Sequence, residues 1–323
     1  MFKILCRTFV FTLVLFVWFP EAKAQDPEFT QFYANPLYLN PAFAGSAKCP
    51  RIIANYRNQW PAISGTFVTQ TVSYDQFIDA IYGGAGIQLM RDVAGDGTLT
   101  TYRANLQYAY TFTLSREFAM KAGVETSFFQ VSLDWNKLTF GDMIDPRKGF
   151  IYPTKDTPRG GNVSGADFSA GLLGFSENFF AGVAVHHLTE PNESLILSKS
   201  PLPRKYTVHA GGKFRLGDNY SSASASYISP NIMYQLQADF KQLLLGLYLI
   251  KGPIVGGVWY RNKDSFILLA GVQTDIIRFG YSYDVTVSPL TTATGGSHEL
   301  SVAFQLDCAP AKRRFRTISC PSF

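Results

Sequence analysis

The feature that most limits this chain is a strict alternation of apolar and polar residues, repeated in segment after segment. From Lys205 to Arg215, Tyr206, Val208, Ala210, Gly212 and Phe214 fall on one side. Lys205, Thr207, His209, Lys213 and Arg215 fall on the other. Successive side chains of a strand point to opposite faces, so the pattern specifies strands. The apolar phase is heavy in Tyr, Phe, Leu and Val, and the opposite phase carries charges and small residues. Behind an export signal, many such segments predict an outer-membrane barrel, apolar outside and polar within.

The export signal is Met1 to Ala24. Lys3 and Arg7 make a positive start, Thr8 to Phe19 is apolar, and Ala22-Lys23-Ala24 is a small-x-small cleavage site before Gln25. The apolar stretch is shorter than the roughly 20 residues of a membrane-spanning helix. Cys6 precedes it, so no lipidated cysteine is expected after cleavage. The full chain has 29 Lys and Arg against 24 Asp and Glu. The leader takes Lys3, Arg7 and Lys23 with Glu21, leaving 26 against 23. That balance gives no reason to expect nucleic-acid binding. The basic run Lys312, Arg313, Arg314 and Arg316 reads as a solvated tail.

The alternating segments are 51–60, 66–76, 82–91, 100–113, 117–133, 165–175, 179–188, 204–216, 221–229, 232–241, 243–250, 254–262, 265–274, 277–287 and 298–307. Residues 136–165, rich in Gly and Pro, read as a long loop. Single-chain bacterial barrels take an even number of strands. The expectation is therefore an all-β protein with one antiparallel up-and-down barrel of about 14 strands. The parts are a signal peptide (1–24), an N-terminal segment (25–48), the barrel (49–308) and a basic tail (309–323). An even count places both terminal segments on the same, periplasmic, side.

Three cysteines remain in the mature chain. Cys49 and Cys308 flank the first and last strands, which barrel closure makes neighbours. A Cys49–Cys308 disulfide is the leading expectation, with Cys320 as the rival partner and unpaired thiols as the alternative. The N-terminal segment holds Phe29, Phe32, Tyr33, Leu37, Tyr38, Leu39 and Phe43 within 15 residues, too many large apolar and aromatic side chains to leave in water. Its Phe32, Tyr33, Asn35, Pro36, Tyr38, Leu39, Asn40 and Pro41 either plug the lumen or dock on a partner. Arg57, Arg103, Glu125, Asp239 and Asp284 are candidates for a lumen charge network, or else are separately solvated.

Catalytic patterns are missing. The four histidines accompany no nucleophile elbow, and the sequence reads as non-enzymatic. Gly95-Asp96-Gly97 reads as a hairpin turn rather than a calcium loop. No cofactor or metal is expected.

Several motifs, in order along the mature chain, resemble one family. They are Gln25-Asp26-Pro27-Glu28-Phe29-Thr30-Gln31-Phe32-Tyr33-Ala34-Asn35-Pro36-Leu37-Tyr38-Leu39-Asn40-Pro41-Ala42-Phe43-Ala44-Gly45, Tyr56-Arg57-Asn58-Gln59-Trp60-Pro61, Ser73-Tyr74-Asp75-Gln76, Asp92-Val93-Ala94-Gly95-Asp96-Gly97, Leu138-Thr139-Phe140-Gly141-Asp142, His186-His187-Leu188-Thr189-Glu190-Pro191-Asn192, Gly257-Val258-Trp259-Tyr260-Arg261 and Gly280-Tyr281-Ser282-Tyr283-Asp284. The chain resembles the PorP/SprF family. The resemblance implies an outer-membrane barrel of the Bacteroidetes type IX secretion system, linked in many members to gliding motility. Its implied partners are periplasmic or lipoprotein ring components of the machinery, a secreted surface protein or adhesin, and outer-membrane lipids. The alternative reading is a passive porin or small-solute channel, which needs an open polar lumen.

Overall fold

The computed structural model describes residues 25–47, 49–156, 160–195, 199–217, 226–287 and 294–307. The 1–24 leader and the tail from residue 308 lie outside them. The fold is a closed antiparallel barrel of fourteen strands. In chain order they are β1 (Arg51–Gln59), β2 (Phe67–Ile78), β3 (Gly83–Ala94), β4 (Leu99–Thr113), β5 (Ala119–Leu133), β6 (Asn162–Phe175) and β7 (Phe179–His186). Then follow β8 (Lys205–Gly212, resumed after Lys213 as Phe214–Leu216), β9 (Ser226–Gln237), β10 (Phe240–Lys251), β11 (Ile254–Arg261), β12 (Ser265–Gln273), β13 (Ile277–Thr286) and β14 (Ser297–Gln305). Neighbours in sequence pair with each other. The ring closes where Arg51 of β1 meets Gln305 of β14.

Burial is inverted relative to a water-soluble domain. Leu106, Val124 and Leu89 are more than half exposed on the outside, whereas Arg57, Asp75, Asp284 and Glu299 are buried inside. The alternation read from the sequence is thus the alternation of lipid-facing and lumen-facing positions. None of the described helices is long and apolar enough to cross a membrane, and in a closed barrel the strands supply each other's backbone hydrogen bonds.

Two strand boundaries differ from expectation. Segments 221–229 and 232–241 were expected as two strands, but β9 is continuous through Pro230, which pairs with Leu247. Proline removes one ladder donor without ending the strand, because it falls at the break in β8, between the Gly211↔Asn231 and Phe214↔Ile228 pairs. β6 begins at Asn162, inside the stretch expected to be loop, because Gly165 sits within the ladder opposite Phe129. The rest of that loop carries a short hairpin, Ile144–Asp145 with Gly149–Phe150.

The two ends of the barrel differ. Pro50 and Leu306 lie together at one end, joined by the Leu306 N–H to the Pro50 carbonyl at 2.9 Å. That end has turns at 79–82, 114–118, 176–178, 252–253 and 274–276 and the connection 217–225. The opposite end carries the longer connections 60–66, 134–161, 187–204 and 287–296, together with short turns at 95–98, 238–239 and 262–264.

Candidate functional site

The lumen is occupied by the chain's own N-terminal segment. It coils through three short helical turns, Phe32–Ala34, Pro36–Leu39 and Pro41–Phe43. Pro36 and Pro41 each open a turn, where a missing N–H costs nothing. The asparagine before each proline fastens the segment to the wall. Asn35 donates to Thr71 Oγ1 at 3.1 Å and accepts from Gln88 Nε2 at 2.8 Å. Asn40 donates to the Leu172 and Val183 carbonyls at 3.2 Å, and its Oδ1 accepts from the Ala42 N–H at 2.9 Å. Both asparagines are fully buried, so these bonds satisfy groups that are costly to bury unpaired.

Phe32, Tyr33, Leu39 and Phe43 join an apolar core with inward residues of β6, β7 and β9–β12. Phe32 meets Trp259 edge-on at 4.7 Å, and Phe43 stacks on His209 at 5.4 Å. Tyr38 packs against Phe29 and beneath the Lys205 ammonium, 4.8 Å from the ring centre. The wall is shaped to the segment. A Cβ on Gly123 would lie 2.3 Å from the Ala42 nitrogen, and one on Gly84 would lie 1.9 Å from the Ala44 carbonyl oxygen. Both are strand glycines that admit another backbone.

Three polar clusters hold the segment along its length. Near the Pro50 end, Asp75 binds Arg51 through two contacts of 2.9 and 3.0 Å and accepts the Gly45 N–H at 2.9 Å. Further along, Glu299 accepts the Thr30 and Gln31 N–H groups at 2.6 and 3.0 Å. Arg57 bridges Asp284 at 3.0 Å and Glu299 at 3.2 Å, and Arg261 reaches Asp284 at 3.3 Å. At the opposite mouth, Asp26 meets His187 Nε2 at 2.7 Å, Lys205 at 3.6 Å and Arg103 at 4.0 Å. His187 Nδ1 is 2.6 Å from Asp167, and Arg103 is 2.7 Å from Glu193. Burial alone would push the His187 pKa down. Asp26 and Asp167 outweigh it and hold the imidazole up at about 9. A cavity of about 30 Å³ beside this cluster has room for roughly one or two waters.

The segment therefore runs the length of the lumen. Gly45 lies by the Pro50 end and Asp26 at the long-loop mouth. Of the two arrangements expected for this segment, plug or partner docking, residues 26–45 take the plug: their apolar and amide side chains are packed inside the barrel.

Of the expected lumen charges, Arg57 and Asp284 pair directly. Arg103 belongs to the Asp26 cluster. Glu125 accepts hydrogen bonds from Gln107 at 2.6 Å and Ser169 at 3.0 Å, with His186 at 4.0 Å. Asp239 is a correction: it is exposed in the turn between β9 and β10. The alternation seemed to continue through it, but Gln237 pairs with Phe240 and the chain reverses there. Asp26, Asp75, Asp167, His187, Lys205, Arg261 and Glu299 were not among the expected lumen charges, although Asp26, Asp75, His187 and Arg261 fall within the family motifs. Asp75, Asp167, Lys205, Arg261 and Glu299 sit in the inward phase of their strands, which is the signal that marks them. Cys49 is disulfide-bonded; its expected partners, Cys308 and Cys320, lie outside the described residues.

The family profile described as "Type IX secretion system membrane protein PorP/SprF" matches residues 21–304. No curated protein sequence matches the chain significantly. Among solved structures, the chain is similar to the Ralstonia pickettii toluene transporter TbuX, at 10% identity and a TM-score of 0.49, over 84% of this chain and 93% of that one. It is similar to the Acinetobacter baumannii outer membrane protein Omp33 at 9% identity and a TM-score of 0.44, over 80% and 98%. For a Pseudomonas aeruginosa FadL homologue the values are 11%, 0.42, 83% and 93%.

Proposed function

This chain belongs to the PorP/SprF family of type IX secretion system membrane proteins, and from that premise we propose that it is a sealed outer-membrane anchor. On this reading it is non-enzymatic. It binds periplasmic machinery at one end and helps a secreted surface protein reach or stay at the other. The observation that carries the reading is the occupied lumen. Residues 26–45 fill it with matched apolar contacts, buried amides and three polar clusters. A solute channel needs a continuous water path, and this segment lies where that path would run. Outer-membrane barrels carry short turns on the periplasmic side and longer loops outside. That asymmetry supports placing the Pro50 and Leu306 end, and the basic tail beyond it, in the periplasm. Asp26 and the long loops then face outward.

The test is a mild-detergent pull-down of the protein from its native outer membrane, read by mass spectrometry. Retained ring components or one large surface protein would support the anchor and name its partner. A barrel that purifies alone, under conditions that keep other secretion complexes whole, would contradict it.

A further inference from the structure

The lipid-facing phase of the barrel is nearly free of charge. Every Asp and Glu of the described barrel strands lies in the inward phase. The outward phase holds only Arg91 on β3 and Lys241 and Lys251 near the two ends of β10. A charge on the lipid face is costly at mid-bilayer and tolerated near the interfaces. Both lysines adjoin turns. Arg91 does not: β3 runs on to Ala94, and its outward neighbours along the strand are Leu89 and Val93.

Arg91 belongs to a row. The ladders set Tyr56 of β1 opposite Gln70 of β2, Gln70 opposite Arg91, Arg91 opposite Tyr102 of β4, and Tyr102 opposite Gln130 of β5. All five lie in the outward phase of their strands, and each side chain ends in a polar group. None of these side chains has a hydrogen bond or ion pair among the described residues. Neighbouring strands lie about 4.8 Å apart, so the row is about 19 Å wide. One row nearer the Pro50 end, the outward residues are Val72, Leu89, Ala104 and Phe128. Val72, Leu89 and Phe128 are more than half exposed. The polar row therefore stands directly above the apolar band.

We propose that this row holds the head group of a phosphorylated glycolipid of the outer leaflet, its phosphate on Arg91 and its sugar hydroxyls on Gln70 and Gln130. The occupant follows from where the row stands. Lipid covers the outer face of a transmembrane barrel, so these side chains meet head groups at the edge of the apolar band. The guanidinium fork matches phosphate oxygens, and no outward carboxylate competes for it among the described strands. The glutamine amides both donate and accept, as a hydroxyl-bearing head group requires. Tyrosines suit this depth, with an apolar body and a polar tip. The acyl chains then run down over Leu89 and Phe128. A glycerophosphate head group is too small to use the full width; sugar is what reaches both glutamines. The inference goes beyond the anchor reading and takes from it only the orientation of the barrel.

Native mass spectrometry of the full mature protein released from nanodiscs tests this. The discs are phosphatidylcholine doped with diphosphorylated lipid A, with the same lipid A stripped of its phosphates, or with phosphatidylglycerol. The parent protein should retain diphosphorylated lipid A. Removing the phosphates, or Arg91→Gln, should lower retention about tenfold, the loss of one charge-assisted contact. Arg91→Lys should restore part of it. Gln70→Leu combined with Gln130→Leu should weaken retention of lipid A and leave that of phosphatidylglycerol unchanged. These side chains face lipid, so the heat-modifiable mobility of every variant should match the parent. Lys251→Gln, at the Pro50 end of β10, should change nothing. A parent that retains no lipid A, or retention that survives Arg91→Gln, would overturn the inference. So would phosphatidylglycerol held as tightly as lipid A, which would make the row a site for any lipid phosphate. Each of these results leaves the anchor reading standing, because partner retention is read separately in the pull-down.

Discussion

The backbone N–H of Thr30 donates to the Glu299 carboxylate at 2.6 Å, joining the first ordered turn of the N-terminal segment to the last strand of the barrel. Glu299 also accepts from Gln31 and from Arg57. One buried carboxylate thus serves the plug and the wall together. Glu299→Gln keeps the shape and removes the charge. Breaking a buried ionic contact costs on the order of 3 kcal/mol, and here the loss falls on plug seating, because Arg57 keeps Asp284. The amides of Thr30 and Gln31 should exchange about a hundredfold faster in the variant than in the parent, a ratio of that order following from that energy. Unchanged exchange would mean the carboxylate does not hold the plug.

Gly123→Val should displace the plug and leave the barrel closed. A side chain there collides with the Ala42 backbone, and overpacking of this kind costs about 1–3 kcal/mol. Planar-bilayer recordings should show frequent openings in the variant, while its heat-modifiable mobility stays normal. A variant as silent as the parent would show that the wall glycines are not fitted to the segment.

Alkaline pH should loosen the outer latch. The folded-state pKa of His187 is raised to about 9, so its contribution is complete below about 6.5, the ordinary histidine value. It is lost as pH rises through 9. Asp26, Asp167, Lys205, Arg103 and Glu193 surround it. Protease cleavage near the mature N-terminus should therefore rise between pH 7 and pH 9.5. In His187→Gln it should be faster at pH 7 and nearly flat across that range. A parent protein with no pH dependence would contradict the assignment.

Cys49 should be joined to Cys308. The Arg51↔Gln305 register and the Leu306 N–H to Pro50 carbonyl bond carry the chain from β14 alongside Cys49. Non-reduced peptide mapping checks this, and a Cys49–Cys320 peptide would refute it.

The barrel was legible because lipid and lumen impose opposite demands on neighbouring residues, and that demand is written as period two. The Asn-Pro steps were legible as rigid turns crowded with aromatics. Their position inside the wall was not, since the glycine at 84 meets residue 44, and the glycine at 123 residue 42, only after the strands are registered. Asp239 was misread because alternation does not reveal where a two-residue turn reverses the chain. Asp26 and His187 lie far apart in sequence and outside the strands, so no local pattern joins them. The start of β6 was hidden within a stretch whose glycines and prolines read as loop.

The most direct test of the sealed barrel is steady conductance of the purified full mature protein in a planar bilayer at neutral pH. A membrane that stays silent, with no stable ohmic step, is the predicted result. A constant pore current from the unmodified protein would contradict the account and make the chain a channel.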